Sequence, residues 1–346
     1  MFDSTEVLPH ALGGPVGTAA IKLIPEDFIV EEQLGFTPSG EGEHVFLRIE
    51  KRGENTDYLA RQLARFAAVP LRNIGYAGLK DRHGSTIQWF SVQLPGQVGP
   101  DWTALNSDSI RVLDVTRNSR KLKKGAASGN HFEIRLRELV ADRLDIETRL
   151  AALAERGVPN YFGPQRFGRN GRNVERAREL FANSSLRIDS HKRGIYLSAA
   201  RSEIFNHILA ERVRQGNWDK AVSGDAFMFP DSHSFFKPDT ITDEILERVH
   251  ARQIDPSGVL WGTGPSAASH HAWAIEQQIA ARYPDLCSGL EQVGMDTARR
   301  PFRLSPEGLS WDFPEDDGLR VSFTLPAGAF ATVVLRELVH MNDAEI

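Results

Sequence analysis

Two periods of apolar residues run through this chain, and they fall in different parts of it. Near the start, Ile21 to Glu31 is largely apolar with a Pro25-Glu26-Asp27 interruption, and Val45 to Ile49 is a short β-like run between Gly-rich turns. Leu59, Leu63 and Phe66 then repeat at helical spacing, with Asn55 or Thr56 able to cap the helix and Pro70 to stop it. Ile87 to Leu94 is strand-like again. From His131 to Arg137 the alternation is clean: Phe132, Ile134 and Leu136 share one face, and Glu133, Arg135 and Arg137 the other. Asn130 has the parity of Phe132, so its amide and that ring project to the same side if the strand reaches that far.

The middle of the chain has the other period. A helix is predicted from about Asp142 to Arg156, ended by Gly157 with Pro159 beyond. Gly163 to Gly168 reads as a loop. Further helices are predicted around Val174 to Asn183, Ser198 to Arg214 and Ala272 to Arg282. At the end, Leu319, Val321, Phe323 and Leu325 alternate with Arg320, Ser322 and Thr324. Pro326-Ala327-Gly328 then turns the chain into a short helix carrying Phe330, Val334 and Leu338. Strands at both ends with helices between predict an α+β fold. A mixed sheet domain, residues 1–155 plus 306–346, is interrupted by a large insertion, residues 156–305.

Composition adds little against this picture. A chain of 346 residues exceeds the usual single-domain size, and 41% hydrophobic with 25% charged residues is ordinary globular composition. Cys287 is the sole cysteine, which excludes an internal disulfide and a Cys-based zinc site and favours a reducing compartment. With no signal-like N-terminus and no apolar run of membrane length, the expected location is the cytoplasm. The net charge of -5 argues against a surface that coats nucleic acid throughout. Its distribution matters more: eight basic residues against two acidic ones lie between Arg111 and Arg137, and Arg166, Arg169, Arg172, Arg176 and Arg178 form a second group. Either run alone is an ordinary solvated face; two beside aromatic and Gly-rich segments favour an RNA-backbone track.

Several chemistries are absent from the sequence. There is no P-loop, Rossmann fingerprint, Gly-x-Ser-x-Gly elbow or His-Glu-x-x-His, and the adjacent His270 and His271 would diverge on a helix. No metal or cofactor is expected. What remains is Lys80-Asp81-Arg82-His83-Gly84. An aspartate between two cations is ordinarily a solvated turn. Here Gly75 and Gly78 precede it, allowing close backbone approach to a ligand, and loops at strand ends commonly hold catalytic groups. On an extended backbone Lys80 and Arg82 point away from Asp81, so its ionic partner must come from elsewhere, and Lys22 is the candidate.

These segments resemble the TruD-type tRNA pseudouridine synthases through most of the chain. The matching residues are Lys22 with Pro25-Glu26-Asp27-Phe28, Gly40-Glu41-Gly42-Glu43-His44, Gly78-Leu79-Lys80-Asp81-Arg82-His83 with Gln88-Trp89, and Gly129-Asn130 with Phe132. They continue with Val158 to Gly163, Gln165-Arg166-Phe167-Gly168, Leu197 to Ser202, and Pro326-Ala327-Gly328 with Phe330-Ala331-Thr332 and Arg336-Glu337. The resemblance implies a mixed, largely antiparallel sheet flanked by helices, with an α/β insertion forming the far wall of an RNA cleft. It implies Asp81 as nucleophile, Phe28, Asn130 and Phe330 as substrate contacts, and Phe132 as the ring that stacks on the target uracil. The chain departs from the pattern at Ser128, where the family usually has a basic residue, and at Gly84, where Ala is common.

The implied partner is tRNA, modified at uridine 13 by a monomer, with no DNA, membrane or cofactor involved. Forming pseudouridine needs an ionised carboxylate near ribose C1′ and uracil C6, a cation to keep it ionised, and a flat apolar surface to retain the detached base. Asp81, Lys22 and Phe132 would fill these roles. On residue type alone, Phe28, Phe132 and Phe330 read equally as core aromatics and Asn130 as turn chemistry. Two other classes share parts of the pattern. A non-catalytic RNA-binding protein would need only the basic track, and an Asp-dependent nucleoside or glycoside hydrolase would need a second carboxylate, for which Glu26, Asp27 and Glu43 are available.

Overall fold

The computed structural model describes residues 8–80, 84–183, 185–230, 232–314 and 318–343. Two compact units share them: the described residues within 16–145, 306–328 and 339–343 make one, and those within 8–15, 146–305 and 329–338 the other.

The first unit is built on a mixed sheet of ten strands among the described residues. Its early strands are β1 (Gly17–Ile21), β2 (Phe28–Leu34), β3 (His44–Arg52), β4 (Ile74–Tyr76), β5 (Ser85–Gln93), β6 (Ile110–Asn118) and β7 (Ala127–Ala141). The strand Leu319–Pro326 lies beside β7, and the order continues through β2, β5 and β3 to β6. Only β2–β5 and β1 with His340–Asp343 pair in parallel; the other pairs are antiparallel. The alternation predicted for β7 is present, with Phe132, Ile134 and Leu136 buried and Glu133 exposed. Helix α1 (Thr56–Phe66) buries Leu59, Ala60 and Leu63 against β3, β4 and β5. Asn55 occupies its N-cap position without a side-chain cap bond.

The second unit is mostly helical, as the middle of the sequence predicts. Helix α2 (Arg143–Arg156) ends at Gly157, whose φ of 75° is the left-handed conformation that glycine adopts cheaply. The helix predicted from Ser198 starts eight residues earlier, at Ser190, where the Asp189 side chain accepts from the N–H groups of His191 and Lys192. Gly163 to Gly168 is a single helical turn, Pro164–Phe167, and not a plain loop. A four-stranded antiparallel sheet runs Phe235–Phe236, Phe227–Met228, Asp255–Leu260, Ala298–Pro301.

Residues 8–15 and 329–338 belong here because one buried carboxylate holds them. Glu337 is fully buried and accepts from the N–H groups of Ala11 at 3.0 Å and Leu12 at 3.2 Å. Arg149 donates to the carbonyls of Gly14 and Glu337. No helix among the described residues is long and apolar enough to cross a membrane.

Candidate active site

In the sheet unit, strand register determines which predicted residues meet. Phe132 on β7 stands opposite Val30 on β2 and Phe323 on the strand Leu319–Pro326. The Phe132 ring lies 5.6 Å from Phe323 at 32° and meets Phe28 edge-on at 6.2 Å. Phe28 and Phe132 are 5% and 6% exposed, so both form the apolar floor of this face. Gly129 is required beside them: a Cβ there would come 2.5 Å from the carbonyl oxygen of Leu325.

Two pairs further along, on the same face, the floor becomes polar. Asn130 stands opposite Glu32, and both share a face with Phe28, Val30 and Phe132. Into this pair comes Lys80, its Nζ 2.8 Å from Glu32 Oε2 and 2.7 Å from Asn130 Oδ1. The Glu32 side chain is fully buried and also accepts from the Trp89 N–H. A buried carboxylate must be matched by such donors, because its desolvation would otherwise cost several kcal/mol, on the order of 3–5 for a lost partner.

The backbone entering this site is also held. The Lys80 N–H donates to Thr56 Oγ1 at 3.1 Å, Thr56 Oγ1 donates to Gln88 Oε1 at 3.0 Å, and Gln88 Nε2 donates to the Gly78 carbonyl at 2.6 Å. Thr56 and Gln88 are buried. Asp81, with Arg82 and His83, lies outside the described residues, so its predicted pairing with Lys22 is a proposal. After it, Gly84 passes close to β2: a Cβ there would sit 2.6 Å from the Phe28 carbonyl oxygen. The close approach expected at Gly75 serves the protein itself, since a Cβ there would strike the Leu122 carbonyl and Ser91 Oγ. Gly78 has open space beside it.

Lys22 has a φ of 57°, and its Nζ lies 4.4 Å from the centre of the Phe28 ring. A left-handed non-glycine residue costs about 1–2 kcal/mol, which marks the position as one that the surrounding structure enforces. The three carboxylates available to a hydrolase are engaged elsewhere. Asp27 is buried and accepts from Arg137 Nε at 2.7 Å and from the Ile24 N–H. Glu26 pairs with Arg52 at 2.7 Å, and Glu43 accepts from Gln93 Nε2 at 3.0 Å.

Phe330 belongs to the other unit. It is half-buried at the N-cap of the short helix Ala331–Leu335, with the Arg166 guanidinium 5.9 Å from its ring.

The basic runs are partly structural. Arg111 pairs with Glu50, Arg117 donates to the Gly42 and Gln97 carbonyls, Lys121 to the Arg72 carbonyl, and Arg137 to Asp27. Arg176 and Arg178 pair with Glu179 and Asp285. Arg120, Lys123 and Lys124 remain exposed, with Lys124 Nζ 5.9 Å from the Tyr76 ring. Sequence reasoning missed Glu32, Thr56 and Lys80 as members of the site; the parity of Glu32 with Phe28 and Val30 was the available signal.

Comparison with known proteins places the chain. The family model described as tRNA pseudouridine synthase D (TruD) matches residues 13–184 and 173–338. A tRNA pseudouridine synthase D of Methylococcus capsulatus is 51% identical over 335 residues, covering 97% of this chain and 95% of that protein. Its counterpart in Nitrosococcus oceani is 47% identical over 341 residues, covering 98% and 95%. A crystal structure from Methanosarcina mazei, described as a candidate tRNA pseudouridine synthase D, aligns at a TM-score of 0.73 and 21% identity over 96% of this chain and 95% of that one, which shows the shared fold. On matches of this length and identity, the chain belongs to the tRNA pseudouridine synthase D family.

Proposed function

We propose that this enzyme isomerises uridine 13 of tRNA to pseudouridine, with Asp81 as its nucleophile. Family membership makes the chain a tRNA pseudouridine synthase, an isomerase. The observation that best supports the nucleophile is the anchoring of the segment leading to Asp81: Lys80 held by Glu32 and Asn130, and its N–H by Thr56. A buried ion pair and a buried amide network are costly to assemble around a solvated turn, and sensible where one carboxylate must be held to within a fraction of an ångström.

The chemistry is an exchange of bonds within one nucleotide. Asp81 attacks ribose C1′ or uracil C6, the bond from C1′ to N1 breaks, and the freed base turns. C5 then bonds to C1′ as the carboxylate is released, the C5 hydrogen leaves to solvent as a proton, and N1 takes up a proton, so product and substrate are isomers. Lys22 is the cation that keeps Asp81 ionised, and Phe132 with Phe28 gives the apolar surface against which the base turns. Asn130 and Phe330 contact the substrate. The target base must leave its stack, at a few kcal/mol, and backbone contacts and stacking offset that. A bound tRNA is the partner, and the cytoplasm the expected place of action.

Tritium release from [5-3H]uridine tRNA, with carbodiimide primer extension to map the product, tests this directly. Release accompanied by a stop at position 13 is expected. Release mapping only to other positions contradicts the site; no release from any tRNA leaves the binding-protein alternative.

A further inference from the structure

Two arginines of the helical unit share one aromatic ring. Arg166, in the turn Pro164–Phe167, has its guanidinium carbon 5.2 Å from the centre of Phe162, and Arg300 has its own 4.0 Å from the same centre. Arg300 is fixed by donating to both the carbonyl and the side-chain oxygen of Asn160. Arg166 makes one guanidinium hydrogen bond among the described residues, from Nη1 to Ser198 Oγ at 2.9 Å. Its Nε is buried without an acceptor, and no described carboxylate reaches ion-pair distance of it. Burial holds the pKa of Arg166 below its ordinary value, and burial with the nearby Arg166 cation lowers that of Arg300.

The buried arginines Arg212, Arg299 and Arg303 of this unit are matched by Asp225, Glu276 and Asp255. Arg166 is partly buried and has no such acid among the described residues. A guanidinium with four of its five N–H donors unspent, beside a second cation, sits in a positive potential that an anion would relieve. The half-buried Phe330 ring lies 5.9 Å from it, so stacking surface and cation occur together, as they do in single-stranded RNA sites.

We propose that Arg166 receives a backbone phosphodiester of the bound RNA, with Arg300 strengthening the local positive potential and Phe162 holding both groups. The inference rests on the tRNA-modifying function proposed above and adds a defined phosphate contact to it.

The test uses the full chain and an unmodified tRNA transcript. Affinity is measured across KCl concentrations for wild type, Arg166→Gln and Arg166→Lys, with circular dichroism as the folding control. Arg166→Gln is expected to bind at least about tenfold more weakly, and the slope of log K against log salt to become shallower by about 0.7–0.9, one phosphate's worth of released counterions. Arg166→Lys keeps the slope. An Arg166→Gln slope equal to that of wild type overturns the subsite and leaves Arg166 a packing residue.

A second measurement needs no variant. Phenylglyoxal modification of wild-type protein, read by mass spectrometry, is expected to slow at Arg166 when tRNA is bound; equal rates with and without tRNA also overturn the subsite. Wild type that binds no tRNA at all would overturn the function on which the subsite rests, whereas normal binding with unprotected Arg166 removes only the subsite.

Discussion

Glu32 and Asn130 face each other across the β2–β7 register, and the Lys80 ammonium lies within 2.8 Å of an oxygen of each. A carboxylate and an amide on two strands thus receive a cation from the segment that leads into Asp81. In the proposed mechanism Lys80 positions the segment that carries Asp81, and Glu32 holds Lys80.

Glu32→Gln keeps the shape and removes the charge. The ammonium of Lys80, whose side chain is 11% exposed, then lacks its ionic partner. The expected cost is about 2 kcal/mol in urea unfolding. If the anchor aims the catalytic segment, kcat falls at least about tenfold while tRNA affinity changes less than about threefold. A variant with wild-type kcat would show the pair to be purely structural.

Lys22→Met removes the cation assigned to Asp81. If Lys22 faces Asp81 as proposed, losing it disfavours the ionised carboxylate, so the inactive protonated form persists to higher pH. The acid limb of the pH profile of kcat/KM is expected to move up by about one to two units. An unmoved limb with lowered activity would assign Lys22 to substrate binding instead.

Much of this was legible in the sequence, for reasons that can be named. Phe132, Ile134 and Leu136 alternate because only one face of β7 is buried, and Leu59 with Leu63 repeats because only one side of α1 is. The start of the helix at Ser190 was not legible: residues 191–195 are all exposed and begin His191-Lys192-Arg193-Gly194, so the first turns bury no apolar face to give a period. Glu32 was hidden by its neighbours, since Glu31-Glu32-Gln33 reads as solvated surface and only its parity with Phe28 places it inward. Arg300 was hidden because a fully occupied basic residue and an open one look the same in sequence; burial and partners distinguish them.

Gly129→Ala tests the register. The added carbon meets the Leu325 oxygen at 2.5 Å, so β7 and its neighbour must part locally. A loss of about 1–3 kcal/mol in urea unfolding is expected, together with lower activity because Asn130 is displaced. Unchanged stability would mean that the strands yield there.

The stability of the sheet unit should depend on His44. It is 5% exposed, and burial lowers its pKa from 6.5, with Glu43 opposing and Lys121 adding to the shift. Between the folded and unfolded pKa values the unfolded chain binds more protons. His44 therefore contributes stability above pH 6.5 that is lost as pH falls through the folded value. Comparing urea midpoints at about pH 8 and about pH 5.5, His44→Asn should show a smaller acid-side loss than wild type. An equal loss would assign the pH dependence to other groups.

Asp81 remains the residue on which the mechanism depends. Asp81→Asn keeps size and hydrogen-bonding capacity and removes the proposed nucleophile, so it separates chemistry from binding. The variant should fold, bind tRNA within about threefold of wild type, and release no tritium from [5-3H]uridine tRNA. A folded Asp81→Asn protein that turns over at the wild-type rate would contradict the assignment.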